Sequence, residues 1–189
     1  DFLKQESVKQ QQEGAHLLDL NVGVPEMDQS ALMQKMSATL LNACPLPVCF
    51  DSDDPKVLEV ALKNYPGIAL VNSVNGKEHV LESVLPLVER YGASVIALAL
   101  DEKGIPETVE GRMKIVRRIV KAAEKHGVAK EKLFIDALVM AVATESTAPG
   151  TKVSTSNEPR TSISAPRSAG GFGWLIAVRT HGQIVAYSA

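Results

Sequence analysis

Short apolar runs alternate with longer amphipathic stretches from the start of the chain to about residue 144. The runs His16–Leu20, Pro47–Phe50, Ile68–Val71, Ser94–Leu100 and Leu133–Ile135 are bounded by polar turn residues and predict buried strands. The stretches between them carry a helical period. From about Glu107 to His126, Val109, Val116, Val120 and Ala123 fall on one face, with Arg112, Arg117, Lys121 and Lys125 elsewhere, and Gly127 follows as a natural stop. From Glu78 to about Tyr91, Val80, Leu81, Val84, Leu85 and Val88 mark a second helix, which Pro86 should kink or split. Two more are expected from about Gln29 to Ala43 and from Pro55, a proline suited to a first turn.

Strands separated by helices are consecutive βα units, which form a parallel sheet with helices outside it. An open doubly wound sheet of this kind usually carries a G-x-G-x-x-G turn after its first strand. No strand here is followed by one. The pattern therefore favours a (β/α) barrel.

Length and charge narrow the class a little further. At 189 residues and 45% apolar, the chain suits one domain, or part of a larger one, with ample core. A net charge of −2 without a basic face argues against nucleic acid or a membrane surface as partner. No apolar run approaches the roughly 20 residues that span a bilayer. Cys44 and Cys49 supply neither a disulfide framework nor a four-ligand zinc pattern, and a reducing, cytoplasmic setting is expected. The chain opens at Asp1 with no initiator Met and no charged-then-apolar leader, which predicts no signal peptide and allows a fragment.

The pattern stops near residue 145. Ser, Thr, Pro and Gly dominate Ser146–Gly171, where Glu158 is the only acid. Such a stretch has too little apolar surface to offset the entropy of ordering it. Trp174–Val178 and Gln183–Tyr187, around His181-Gly182, read as a candidate hairpin within 172–188. Residues 1–145 are thus expected to form the folded unit and 146–189 a tail, either flexible or non-native in origin.

The chemistry sits where the strands end. The five runs finish in Asp19-Leu20-Asn21, Asp51, Asn72, Asp101 and Asp136. Ligands of parallel α/β folds bind at that edge. Asp and Asn also cap helices, which accounts for any one position more readily than for all five. Without clustered Arg or Lys the set is a poor phosphate site, and no P-loop is present. No histidine joins it to make a metal site: His16 starts a strand, and His79 and His126 lie on helices. A neutral heterocycle with several N–H donors suits it best, because carboxylates accept from amino and ring N–H groups and an amide both donates and accepts. Cys44 and Cys49 read as buried free thiols. No nucleophile elbow or Ser-His-Asp order is present.

Five segments, Gly14-Ala-His-Leu-Leu-Asp-Leu-Asn-Val-Gly23, Val48-Cys-Phe-Asp-Ser52, Leu70-Val-Asn-Ser-Val-Asn-Gly76, Ala97-Leu-Ala-Leu-Asp-Glu-Lys-Gly-Ile-Pro106 and Phe134-Ile-Asp136, fall in order with sensible spacing. Together they resemble the pterin-binding, or methyltetrahydrofolate-binding, domain of cobalamin-dependent methionine synthase and related corrinoid methyltransferases. The resemblance implies a TIM barrel with the pterin at the C-terminal mouth. It matches Asp51, Asn72 and Asp136 to residues that hydrogen-bond the pterin's amino and ring nitrogens. Asp19 and Asn21 would line the same pocket, and Asp101 would end the intervening strand. The implied reaction moves the N5 methyl of 5-methyltetrahydrofolate to cob(I)alamin carried on another domain or subunit, with homocysteine as the usual final acceptor.

The chain also departs from that family. A first strand with a Gly-Glu-Arg-Ile-Asn-like motif has no counterpart before Asp1. Ala137 stands where a Pro is usual, and the Ser-Asn motif of the seventh strand is missing, as are strands seven and eight. The resemblance therefore covers strands two to six of eight. An open five-strand sheet would expose edges prone to association, so a homo-oligomer is one expectation. Two other readings stand beside the methyltransferase: a dihydropteroate-synthase-like enzyme, which would need basic residues where only Lys77 and Lys103 are at hand, and a truncated, non-catalytic pterin-binding module.

Overall fold

The computed structural model describes residues 2–23 and 27–138. The expected tail over 146–189, with its hairpin at 172–188, lies outside the described residues. Five strands, β1 (Leu18–Asn21), β2 (Val48–Asp51), β3 (Leu70–Asn75), β4 (Ser94–Leu98) and β5 (Leu133–Asp136), alternate with helices α1 (Phe2–Gln12), α2 (Gln29–Ala43), α3 (Pro55–Asn64), α4 (Glu78–Arg90) and α5 (Val109–Lys125). A 3₁₀ turn, Lys130–Lys132, leads into β5.

All neighbours pair in parallel, and the spatial order β1-β2-β3-β4-β5 is the order of the chain. A sheet whose order never reverses has no topological switch point. Right-handed crossovers then place every connecting helix on one face. That is the winding of a barrel, and the fold is a partial (β/α) barrel.

The strands are apolar on both faces, each for its own reason. Leu18, Leu20, Val48, Phe50, Val71, Val74, Val95, Ala97 and Leu133 pack with Leu58, Leu85, Val88, Ile115 and Ile119 from the helices in the larger core. Residues of the opposite parity, Cys49, Leu70 and Ile96 with Leu17, Leu98 and Phe134, form a smaller cluster on the other face. Side chains alternate across a strand, so two interleaved apolar sets are what a barrel wall between helices and interior requires. β3 keeps both sets only by a register shift between Asn72 and Val74, which inserts Ser73 as an extra residue.

Helix starts follow local chemistry. Asp28 accepts from the N–H groups of Ser30 and Ala31 at 3.0 and 3.1 Å, Asp54 from Lys56 at 2.8 Å, and Thr108 from Gly111 at 3.1 Å. Pro55 occupies the first turn of α3 as expected. Successive helices are joined at the surface by Arg90 to Glu59 at 3.3 Å and Lys125 to Glu82 at 3.0 Å, exposed pairs that contribute little.

Four expectations need correction. Pro86 does not split α4, which runs unbroken from Glu78 to Arg90. Pro86 faces solvent between the buried Leu85 and Leu87, so packing holds the helix across the lost hydrogen bond. Val109 is 70% exposed rather than on the core face of α5, because Thr108 caps the helix and leaves Val109 in its first turn; Ile115, Ile119 and Ala123 make the buried stripe. Ile68 lies before β3, largely exposed. β4 ends at Leu98, so Asp101 lies in the loop beyond it and not at the strand end.

Candidate functional site

The C-terminal ends of the strands gather five of the six candidate side chains on one face. Asp19 and Asn21 continue the parity of Leu17, Asp51 that of Cys49, Asn72 that of Leu70, and Asp136 that of Phe134. The polar set is thus the upper layer of the barrel interior, and the smaller apolar cluster is its floor. The last register pair of β1 and β2 is Asn21 with Asp51, and that of β2 and β3 is Asp51 with Asn72.

Hydrogen bonds tie these residues across the strands. Asn21 Nδ2 donates to Asp51 Oδ2 at 2.9 Å, while Asn21 Oδ1 accepts from Gly23 N at 2.8 Å. Both ends of the Asn21 amide are therefore engaged within the protein, which makes it a brace for Asp51. Asn72 Nδ2 donates to Asp19 Oδ2 at 3.3 Å. Beneath them, Cys49 is fully buried. Asp19 is its register neighbour on β1, and burial followed by the negative charge of Asp19 pushes its pKa well above the ordinary thiol value. It is held as the neutral S–H and is unsuited to nucleophilic work. Cys44 is the other free, buried thiol, packed beside Gln11 on the helix side.

Asp136 differs from the rest. It is 8% exposed, the one buried acidic side chain among the described residues. Leu138 N donates to its Oδ1 at 2.7 Å, and Oδ2 has no protein hydrogen bond among the described residues. Burial raises its pKa, with the Leu138 N–H opposing. A carboxylate removed from water and bonded at one oxygen is primed to accept N–H groups.

Asp101 stands apart. Its Oδ1 accepts from Lys103 N at 2.9 Å, and its backbone closes a tight turn with Gly104. The loop carrying it is anchored to the start of α4: Gly76 N donates to Leu100 O at 2.7 Å, and Arg118 pairs with both Glu78 and Glu102. Only glycine fits at this crossing. A Cβ on Gly76 would lie 2.9 Å from Leu100 O and 2.8 Å from Ile115 Cγ2. Gly76→Ala is expected to cost about 1–3 kcal/mol, as overpacking commonly does, read from a lowered urea midpoint. An unchanged midpoint would mean that the loop yields instead.

A cavity of about 410 Å³ opens nearby between the N-termini of α2 and α3, lined by Asp28, Asp53 and Asp54 among others. It shares no lining residue with the strand-end set, and its Asp28 and Asp54 are helix caps. The strand ends carry the more specific chemistry. Among the described residues no group of three His, Cys, Asp or Glu could hold a metal ion, and no helix is long and apolar enough to cross a membrane. Sequence reasoning passed over Gly76 and the link from Cys49 to Asp19. The second had a signal, since Cys49 stands two residues before Asp51 and so shares its face.

Comparison with known proteins agrees with this geometry. Residues 3–157 match the model of a family described as pterin binding enzyme. The chain is 31% identical over 147 residues to a methylcorrinoid:tetrahydrofolate methyltransferase of Eubacterium limosum, covering 76% of this chain and 54% of that protein. It is 33% identical over 141 residues to methionine synthase of Mycobacterium tuberculosis, covering 71% of this chain and 12% of that protein. The chain thus spans about half of the first relative and a small part of the second. In fold it is similar to dihydropteroate synthase from Xanthomonas albilineans in complex with 7,8-dihydropteroate, with a TM-score of 0.59, 22% identity, and coverage of 70% of this chain and 50% of that one. A singly wound sheet with acceptors at its C-terminal edge, and a family match over most of the chain, lead to one conclusion: this chain belongs to the pterin binding enzyme family.

Proposed function

We propose that the strand-end face binds the pterin ring of a reduced folate, and that within a whole protein it presents 5-methyltetrahydrofolate for transfer of its N5 methyl to cob(I)alamin, in the manner of methionine synthase. The observation that carries the pterin reading is Asp136, a buried carboxylate with one oxygen bonded to the backbone and the other without a protein partner among the described residues. A pterin's amino group and ring N–H supply the donors such a group needs. Asp51 and Asn72 supply the remaining contacts. Asn21 and Asp19 brace them, and Asp101 shapes the neighbouring loop.

The set of carboxylates and amides fits a heterocycle, and the corrinoid is assigned to another domain or subunit. That partner supplies the cobalt nucleophile. In the transfer the N5–CH3 bond breaks and its electron pair stays on N5, which must gain a proton or a strong hydrogen bond because a tertiary amine leaves poorly. This chain's share is to bind the ring, fix its orientation and exclude water. Its identity to a methylcorrinoid:tetrahydrofolate methyltransferase favours this chemistry over pteroate synthesis.

Thermal unfolding with and without excess 5-methyltetrahydrofolate tests the binding. A ligand selective for the folded state at a hundred times its Kd adds about 2.7 kcal/mol of stability, so the melting temperature should rise clearly. A cooperative melt with no shift would remove the pterin assignment.

A further inference from the structure

We propose that Cys49 is a positioning residue, whose thiol holds the Asp19 carboxylate that in turn orients the Asn72 amide. The inference starts from a distance that a flat sheet does not allow. Asp19 lies on β1 and Asn72 on β3, two strand spacings apart, or roughly 9–10 Å in an untwisted sheet. Their side chains nevertheless meet at 3.3 Å, over the strand between them. The β2 residue in register with Asp19 is Cys49, fully buried. A small side chain there leaves room for Asn72 to reach across, and a donor there gives the carboxylate a second fixed contact.

The orientation of Asn72 has a chemical consequence. With Nδ2 directed at Asp19, Oδ1 is turned away from it and serves as the acceptor presented to a ligand. A side-chain amide free to flip could present either group, and its discrimination between donor and acceptor edges would fall. Cys49 thereby acts on the ligand without touching it. The ligand part of this inference rests on the pterin reading above, whereas the link from Cys49 through Asp19 to Asn72 stands without it.

Three measurements on the full chain separate the two. The infrared S–H stretch of Cys49, assigned by its loss in Cys49→Ser, should lie at low frequency and move up in Asp19→Asn, where a neutral amide replaces a charged acceptor. The Nδ2 protons of Asn72 should exchange faster in Cys49→Ala than in the unmodified protein. Cys49→Ala should weaken 5-methyltetrahydrofolate binding roughly 3- to 10-fold, the worth of one hydrogen bond, and Cys49→Ser, which keeps a donor of similar size, should restore most of it. An S–H band indifferent to Asp19→Asn overturns the proposal. So does a serine variant that binds as weakly as the alanine one. If the unmodified chain binds no folate, the pterin reading fails, and the vibrational and exchange measurements still decide the role of Cys49.

Discussion

Asp136→Asn is expected to abolish measurable binding of 5-methyltetrahydrofolate while raising the melting temperature near neutral pH. The two effects have one origin. Asp136 is buried at the end of β5, and burial holds its pKa above the ordinary carboxylate value. A carboxyl whose folded pKa is raised favours folding when protonated. That stability is full below the ordinary pKa and is lost as pH rises through the folded one, so at neutral pH the charge opposes folding. Asparagine removes the charge and can still accept from Leu138 N, the contact that Oδ1 makes at 2.7 Å. On the ligand side, two charge-assisted hydrogen bonds of about 1.5–3 kcal/mol each become weaker neutral contacts, one of them mismatched, for a loss of roughly 100-fold or more. Calorimetric titration and a pH series of melts read both. The affinity of the unmodified protein should also fall on acidification, beginning above the value of about 3.9 typical of a free aspartate. Binding that survives the substitution within a few-fold would take Asp136 out of the site.

The largest expected loss of stability belongs to Phe50→Ala. Phe50 is fully buried on the helix face of β2, between Cys49 and Asp51, which face the interior. Its ring meets that of Tyr65 edge-on with centroids 5.4 Å apart, and the Tyr65 hydroxyl accepts from Val48 N at 3.1 Å. Truncation removes the ring, leaves a cavity and frees the tyrosine that ties the end of α3 to the start of β2. Such changes cost about 3–5 kcal/mol, enough to lower the melting temperature by on the order of 10 °C. A drop of only a few degrees in a thermal scan would show that the neighbours collapse into the space. Because Phe50 lies on the face opposite the acceptors, variant protein that remains folded should keep most of its ligand affinity.

How much of this was legible in the sequence depends on the kind of signal. The alternation of apolar runs with helical stretches fixed four helices and five strands, because burial on both faces writes itself into composition. α1 left no such trace: Phe2 is exposed, Ser7 is its only buried residue, and its glutamines show no stripe. Asp101 was misplaced because Ala99 and Leu100 extend an apolar run past the last pairing of β4. The candidate residues themselves were readable as polar ends of apolar strands. Their division of labour was not, since whether an amide is engaged with a neighbour, as Asn21 is with Asp51, depends on contacts across strands far apart in sequence.

The extra residue in β3 bears on how such a chain tolerates insertions and deletions. Asn72 and Val74 are two apart, yet one faces the acceptor layer and the other is fully buried against the helices. Ser73 makes that possible by breaking the two-residue rhythm of the strand. A residue gained or lost in a surface loop changes only the slack between two elements. One lost or gained at Ser73 would set Asn72 and Val74 an odd number of residues apart, and a regular strand would then hold both on their present faces without the bulge. The bulge therefore absorbs a one-residue difference in strand length while Asn72 stays in the acceptor layer and Val74 against the helices, so β3 is a place where length can change and the site stay intact.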